Sequence, residues 1–400
     1  MITLPYLVRT IGIEKFGAVS YALTIMAYIA ILIDYGFMMS ATRQVAIYRT
    51  DLVKLSALFS TVTIARMILF FIGALCLFFL TQFVPRFSGS KSLYLYGIVF
   101  PLGIALMPTW LYQGLEQMRQ ITYLNIVAKL ITIVLLFSVV NSPNDYKYIL
   151  GIYGIANVVS GVYGLIMAVR RYKLTFDIPK SHEIIGQYKI GFNLFLTSVT
   201  VALVNNVNLL ILAGYVDNHS LGNYGLAEKI IFAVWQVLAV FSTAIYPVLC
   251  RLAQESHELL RRFLIRTFVP FCGCVLAGCI GICFFAEEII YLIAKTSNLE
   301  AVNILRIMIF VPFIVCLNIP TYQTQLANSI TQENTRIYGY AAVLNVILCV
   351  TLVSIWGTVG AAITMLITQF IITGSLYFVT EVKFPQYSLL RFHTSREINV

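Results

Sequence analysis

The chain has 400 residues, of which 60% are hydrophobic and only 11% charged, against roughly 25% charged in a soluble domain. That balance excludes a soluble globular enzyme and a disordered chain alike. The formal net charge of +10 would suggest nucleic acid in a soluble protein, but in a membrane chain an excess of Lys and Arg in cytoplasmic loops has the same result.

Apolar stretches recur at 16–37, 56–84, 92–113, 121–140, 147–169, 189–214, 221–249, 264–286, 301–325, 337–355 and 358–379. About twenty apolar residues in helix cross the ~30 Å hydrocarbon core of a bilayer, and a helix satisfies its own backbone there. The expectation is an all-α polytopic membrane protein with eleven spans. Its organisation reads as an N-terminal lobe over 1–180, a C-terminal lobe over 181–379 and a cytoplasmic tail over 380–400. Residues 1–15 read as a flank, without the basic region and small-residue cleavage site of a signal peptide.

In chain order, the polar residues inside these spans are the functional candidates, because charge at lipid depth is costly. Asp34 closes the first span. Arg66 and Lys129 lie deep in the second and fourth. Asn205, Asn206 and Asn208 share the middle of the sixth. Glu228 and Lys229 follow each other in the seventh, and Arg306 begins the ninth. Adjacent helix residues diverge, so Glu228 and Lys229 are each expected to find another partner. For the four cations, lining a substrate cavity competes with structural pairing and snorkelling. For the asparagines, cavity lining competes with interhelical hydrogen bonding. Asp34, close to the cytoplasmic end of its span, reads first as a helix-end or loop hydrogen-bonding residue, and with it competes a role for Asp34 and Glu228 as the carboxylates that carry a coupling proton or sodium ion. Four of the eight cysteines fall within Cys272–Cys283; with no histidine nearby they read as small packing residues rather than metal ligands.

Most of the 27 Lys and Arg residues, among them Arg43, Lys54, Arg119, Arg170, Arg171, Lys180, Arg262 and Arg336, fall in one set of alternate loops and the C-terminal tail. The positive-inside rule puts that set, and the C-terminus, in the cytoplasm. The two halves also echo each other. Phe16-Gly-Ala-Val-Ser-Tyr-Ala22 resembles Leu221-Gly-Asn-Tyr-Gly-Leu-Ala227, Tyr153-Gly-Ile-Ala156 resembles Val359-Gly-Ala-Ala362, and Pro101 and Pro108 correspond to Pro312 and Pro320. Such parallel repeats are known among transporters.

Pro5-Tyr-Leu-Val-Arg-Thr-Ile-Gly-Ile-Glu-Lys-Phe-Gly17, Asp34-Tyr-Gly36, Ala41-Thr-Arg-Gln-Val-Ala46, the Leu221–Lys229 segment and Tyr246-Pro247 resemble Wzx-type O-antigen flippases. These form part of the polysaccharide-transport branch of the multidrug/oligosaccharidyl-lipid/polysaccharide exporter superfamily. The resemblance implies two helical lobes around a central cavity, with most of the family's first helix missing here. It implies a flippase that carries undecaprenyl-pyrophosphate-linked O-antigen repeat units to the periplasmic leaflet of the inner membrane by ion-coupled alternating access, with no cofactor. Its implied partners are the lipid-linked oligosaccharide, the bilayer, H+ or Na+, and the O-antigen polymerase and chain-length regulator; nucleic acid is not among them. Arg66, Lys129, Lys229, Arg306, Asn205 and Asn208 would line its cavity. The rival readings are a multidrug antiporter of the same superfamily and a membrane-embedded polymerase or glycosyltransferase. The four intramembrane cations weigh against the first. The absence of a sizeable loop, a metal-spaced histidine set or a P-loop weighs against the second.

Overall fold

The computed structural model describes residues 3–255, 257–296, 298–327 and 331–383, and among these every regular element is helical. The chain forms two compact units, Met1–Ala202 and Leu203–Val400. Of the expected tail, residues 384–400 lie outside the described residues, and residues 380–383 complete the last helix.

In the first unit, α1 (Thr3–Asp34) is interrupted at Gly12, whose φ of 78° and ψ of 161° are not helical. The expected flank is therefore a helical stub of ~13 Å, and residues 13–34 form a span of ~33 Å at 1.5 Å per residue. Tyr35 and Gly36, both at positive φ, turn the chain into α2 (Phe37–Tyr48). This short helix buries Phe37, Ser40, Ala41 and Val45 at helical spacing and leaves its basic face out. Gly36 is required twice over: its φ is +78°, and a Cβ there would lie 2.6 Å from the Leu194 Cβ. The long helix α3 (Leu52–Phe83) starts at Asp51, whose carboxylate accepts the Lys54 N–H, a standard N-cap.

After α4 (Pro85–Ser88), the third span is broken into α5 (Lys91–Gly97), α6 (Val99–Leu106) and α7 (Thr109–Gly114). Pro101 is the third residue of α6, where a missing N–H leaves no intrahelical bond unmade. Pro108 sits at the N-cap of α7. Then come α8 (Met118–Val139), a 3-10 turn at Pro143–Tyr148 and α9 (Ile149–Tyr172). The glycines of α9 let it lie directly on α6: a Cβ on Gly154 would be 2.5 Å from the Phe100 nitrogen. Close approach through small residues is the usual packing device inside a bilayer.

The helix α10 (Ser181–Leu212) runs across the boundary between the units. The second unit continues with α11 (Asn218–Glu255), α12 (His257–Phe284), the short α13 (Ala286–Ala294), α14 (Leu299–Met308), α15 (Phe310–Ala327) and α16 (Thr331–Lys383). Pro312 is the third residue of α15, just after the break at Ile309, so the proline echo with Pro101 in α6 is structural. Pro320 differs from Pro108 in staying inside its helix.

The 53 residues of α16 would measure ~80 Å if straight, but they do not run straight. Lys383 Nζ lies 3.0 Å from Glu333 Oε1, and Ile337, Ala341 and Ala342 share a core with Ile372 and Leu376. The reversal is at Gly357 (φ 55°, ψ −128°), beyond which Gly360 packs on the Leu352 carbonyl. Two antiparallel arms result, matching the expected spans 337–355 and 358–379. Among the described residues ten stretches are long and apolar enough to cross a membrane; the fold-back of the last makes eleven passes.

Candidate functional site

Arg66 is 3% exposed, deep in α3. Its guanidinium donates Nη1–H to the Met107 carbonyl and Nη2–H to the Ile104 carbonyl, each at 2.7 Å. The sequence explains why those oxygens lack their i+4 helical donors. Pro108 has no N–H for the Ile104 carbonyl, and the Leu111 N–H that would reach Met107 bonds the Pro108 carbonyl instead, at 3.2 Å. The planar fork of arginine suits two adjacent acceptors. Arg66 thus holds the break between α6 and α7 open.

The same side chain lines a cavity of about 340 Å³ with Asp34, Gly103, Thr109, Asn157 and Ser198. Its Nε is buried without a partner. Asp34 turns its carboxylate to the N–H groups of Gly36 and Met38 at the start of α2. The cavity is therefore lined by a fixed cation and a carboxylate that attract each other without a direct ion pair, which suits a polar group or a mobile ion.

Lys129 lies elsewhere. It is exposed midway along α8, beside Ile126 and Leu130, both more than half exposed. Asn125, also exposed, shares that face one turn earlier.

In the second unit, Glu228 is 3% exposed. Contrary to the sequence expectation, it pairs with its own neighbour: Lys229 Nζ reaches Glu228 Oε2 at 3.6 Å. The long lysine stem bends back across the divergence of successive helix positions and also passes over the Phe232 ring. Behind Glu228 lie the Tyr224 hydroxyl and the Asn208 side chain. The hydroxyl and the Asn208 amide face each other without the close, aligned geometry of a full hydrogen bond. A carboxylate, a phenol and an amide are thus gathered in one buried, under-bonded cluster. Asn205 is half-buried, and its Oδ1 accepts from Gln369 Nε2 at 3.5 Å. Arg306 is exposed and donates Nε–H to the Cys283 carbonyl at 3.4 Å, at the C-terminal end of α12, where a cation is favoured by the helix dipole.

Sequence reasoning missed a second polar knot. Glu300 accepts from Asn223 Nδ2 at 2.7 Å, Thr358 Oγ1 at 2.8 Å and Ser220 Oγ at 3.3 Å. Asn298 Nδ2 donates to Asn223 Oδ1 at 2.6 Å. This joins the starts of α11 and α14 to the turn of α16. Its signal was the Asn298-Leu-Glu300 opening of a helix, which reads from sequence as an ordinary cap.

Two helical units with buried charge inside otherwise apolar spans define a polytopic membrane protein. The fold agrees. A multidrug resistance MATE family transporter of the MOP superfamily, in its inward-facing conformation, matches 96% of this chain and 97% of its own with a TM-score of 0.72 at 13% identity. The lipid II flippase MurJ, in an inward closed conformation, matches 92% of this chain and 87% of its own with a TM-score of 0.63 at 15% identity. Residues 1–253 match the family described as "Polysaccharide biosynthesis protein", and the chain belongs to that family. It is similar to two curated proteins named "Putative O-antigen transporter". One, from Escherichia coli (strain K12), is 27% identical over 382 residues, covering 94% of this chain and 90% of the relative. The other, from Shigella dysenteriae, is 26% identical over 391 residues, covering 96% and 95%.

Proposed function

We propose that this protein is a flippase for lipid-linked oligosaccharides, carrying undecaprenyl-pyrophosphate-linked O-antigen repeat units from the cytoplasmic to the periplasmic leaflet of the inner membrane, with its C-terminus in the cytoplasm. The observation that carries the reading is likeness along nearly the whole chain to proteins named as O-antigen transporters, on a fold shared with a lipid II flippase. The chemistry suits such a cargo. A pyrophosphate and a glycan need cations and amides inside the apolar spans, and Arg66, Lys129, Lys229, Arg306, Asn205 and Asn208 are assigned to that contact.

Movement is assigned to an ion gradient, since the sequence has no P-loop and the membrane potential supplies ~2.3 kcal/mol per charge per 100 mV. Asp34 and Glu228 carry the ion in this reading; Asp34 lines the cavity with Arg66 and Glu228 is buried beside Lys229. The test is deletion of the gene. Lipid-linked repeat units should accumulate on the cytoplasmic face while surface O-antigen disappears, and unchanged O-antigen display would overturn the reading. The likeness to a MATE transporter favours one second reading, a multidrug antiporter, in which deletion would instead raise drug sensitivity.

A further inference from the structure

The two units treat equivalent positions differently. Pro108 and Pro320 correspond across the repeat, and the residue four before each, Ile104 or Cys316, is the one whose carbonyl loses its helical donor. In the first unit Arg66 meets that position from the preceding span. The residue 206 positions later, in step with the repeat, is Cys272. It too meets its counterpart: Cys272 Sγ lies 3.2 Å from Cys316 Sγ. The second arm of α16 bonds carbonyls on either side of that position. Thr373 Oγ1 donates to Ile314 at 3.3 Å, and the Tyr377 hydroxyl donates to Leu317 at 2.9 Å.

We propose that Cys272 and Cys316 form an oxidisable dithiol, a modification site whose disulfide would tie α12 to α15 where Arg66 ties α3 to α6. Both thiols are free, and reaching bonding distance needs an approach of about 1 Å. Their exposures assign the roles. Cys272 is half-buried and Cys316 is fully buried, so a membrane-permeant peroxide reaches Cys272 first. The peroxide O–O bond breaks, Cys272 becomes a sulfenic acid and one water leaves. The Cys316 sulfur then attacks the Cys272 sulfur, the S–O bond breaks, the Cys316 proton leaves with the hydroxyl as a second water, and one S–S bond forms. Two thiols are oxidised and one peroxide is reduced to two waters. Cys76 and Cys274, though exposed, have no thiol contact among the described residues and stop at the sulfenic acid.

The purified full-length protein in detergent is treated with hydrogen peroxide, unfolded, alkylated and digested. The expected result is one dominant cross-linked peptide pair joining Cys272 to Cys316, reversed by dithiothreitol. Both residues should leave the alkylated pool together, and amide exchange over 309–316 should slow. Cys272→Ala should return Cys316 to full alkylation. Oxidation of Cys272 with Cys316 still fully alkylated, or a dominant cross-link from Cys272 to Cys279 or Cys274, overturns the proposal. The wild-type measurement decides the matter even if the variant fails to fold, and none of these readouts depends on what the protein transports.

Discussion

Replacing Arg66 with Met tests the latch between α3 and the broken third span. The substitution keeps an unbranched apolar stem and removes both guanidinium bonds. Two carbonyls then lose the guanidinium donor. A buried acceptor left unsatisfied costs ~1–3 kcal/mol. The Ile104 oxygen keeps the Met107 N–H at 3.2 Å and belongs at the low end, whereas no backbone amide stands in at the Met107 oxygen. Relief from burying a charge works in the opposite direction, so a net loss of about 2–4 kcal/mol is expected. Unfolding in mixed detergent micelles measures it, and faster amide exchange over 104–112 should accompany it. Arg66→Lys should fall between, since an ammonium reaches one oxygen well but cannot fork. A Met variant within about 0.5 kcal/mol of wild type, the scatter of an ordinary surface substitution, would refute the latch. Lost transport with that stability intact would make Arg66 a cargo contact only.

Gly36→Ala should destabilise by at least ~1–2 kcal/mol from left-handed backbone alone, with the Leu194 clash added; a melting temperature equal to wild type would be incompatible with the turn described. Glu228→Gln should abolish the response of cargo movement to an imposed proton or sodium gradient in sealed vesicles while the protein remains in the membrane, and an unchanged gradient response would remove Glu228 from the coupling role. Asp145 accepts the Ser142 hydroxyl and N–H at 2.8 Å and the Asn141 N–H at 3.1 Å, with the hydroxyl bond as the leading cause that holds its carboxyl below the usual range. Its stabilisation of the 3-10 turn is complete above the ordinary aspartate pKa and is lost as pH falls through the depressed value. Exchange at the Ser142 and Asp145 amides should therefore quicken only at strongly acid pH, and quickening already at mildly acid pH would contradict the bonding. Cysteines introduced at 217 and 180 should label from outside and inside respectively; reversed labelling would invert the topology.

All eleven spans are legible in the sequence because lipid imposes one simple requirement, length in uncharged residues. What the sequence does not show is where a span is interrupted and what then holds it. The role of Arg66 depends on which two carbonyls Pro108 leaves without their i+4 helical donors, a matter of three-dimensional registration. The short helices α2 and α13 fall in stretches too short or too polar to read as spans, and only their burial of Phe37 or Ile290 shows that they fold. The Glu228–Lys229 pair defeated a sound rule about adjacent helix positions because a lysine stem is long enough to bend back. In the cluster of Asn208, Tyr224 and Glu228, the last two share a face of α11 at i,i+4 spacing, but Asn208 reaches them from α10 and nothing along the chain announces that meeting.

The reversal at Gly357 bears on how the chain enters the membrane during synthesis. The turn is flanked by Ile355 and Trp356, both more than half exposed, and carries no charge between Ser354 and Gly360. There is no hydrophilic loop here to draw across, and tryptophan settles readily at the headgroup level. The two arms can therefore insert together as a preformed pair. The same economy leaves no room for added residues. A tag or cleavage site placed between Ile355 and Thr358 would separate the arms before they could pair, and the segment after Tyr172 is no freer at its start, because Leu174 is buried and the Thr175 and Asp177 amides bond Ser56 and Ser60 of α3.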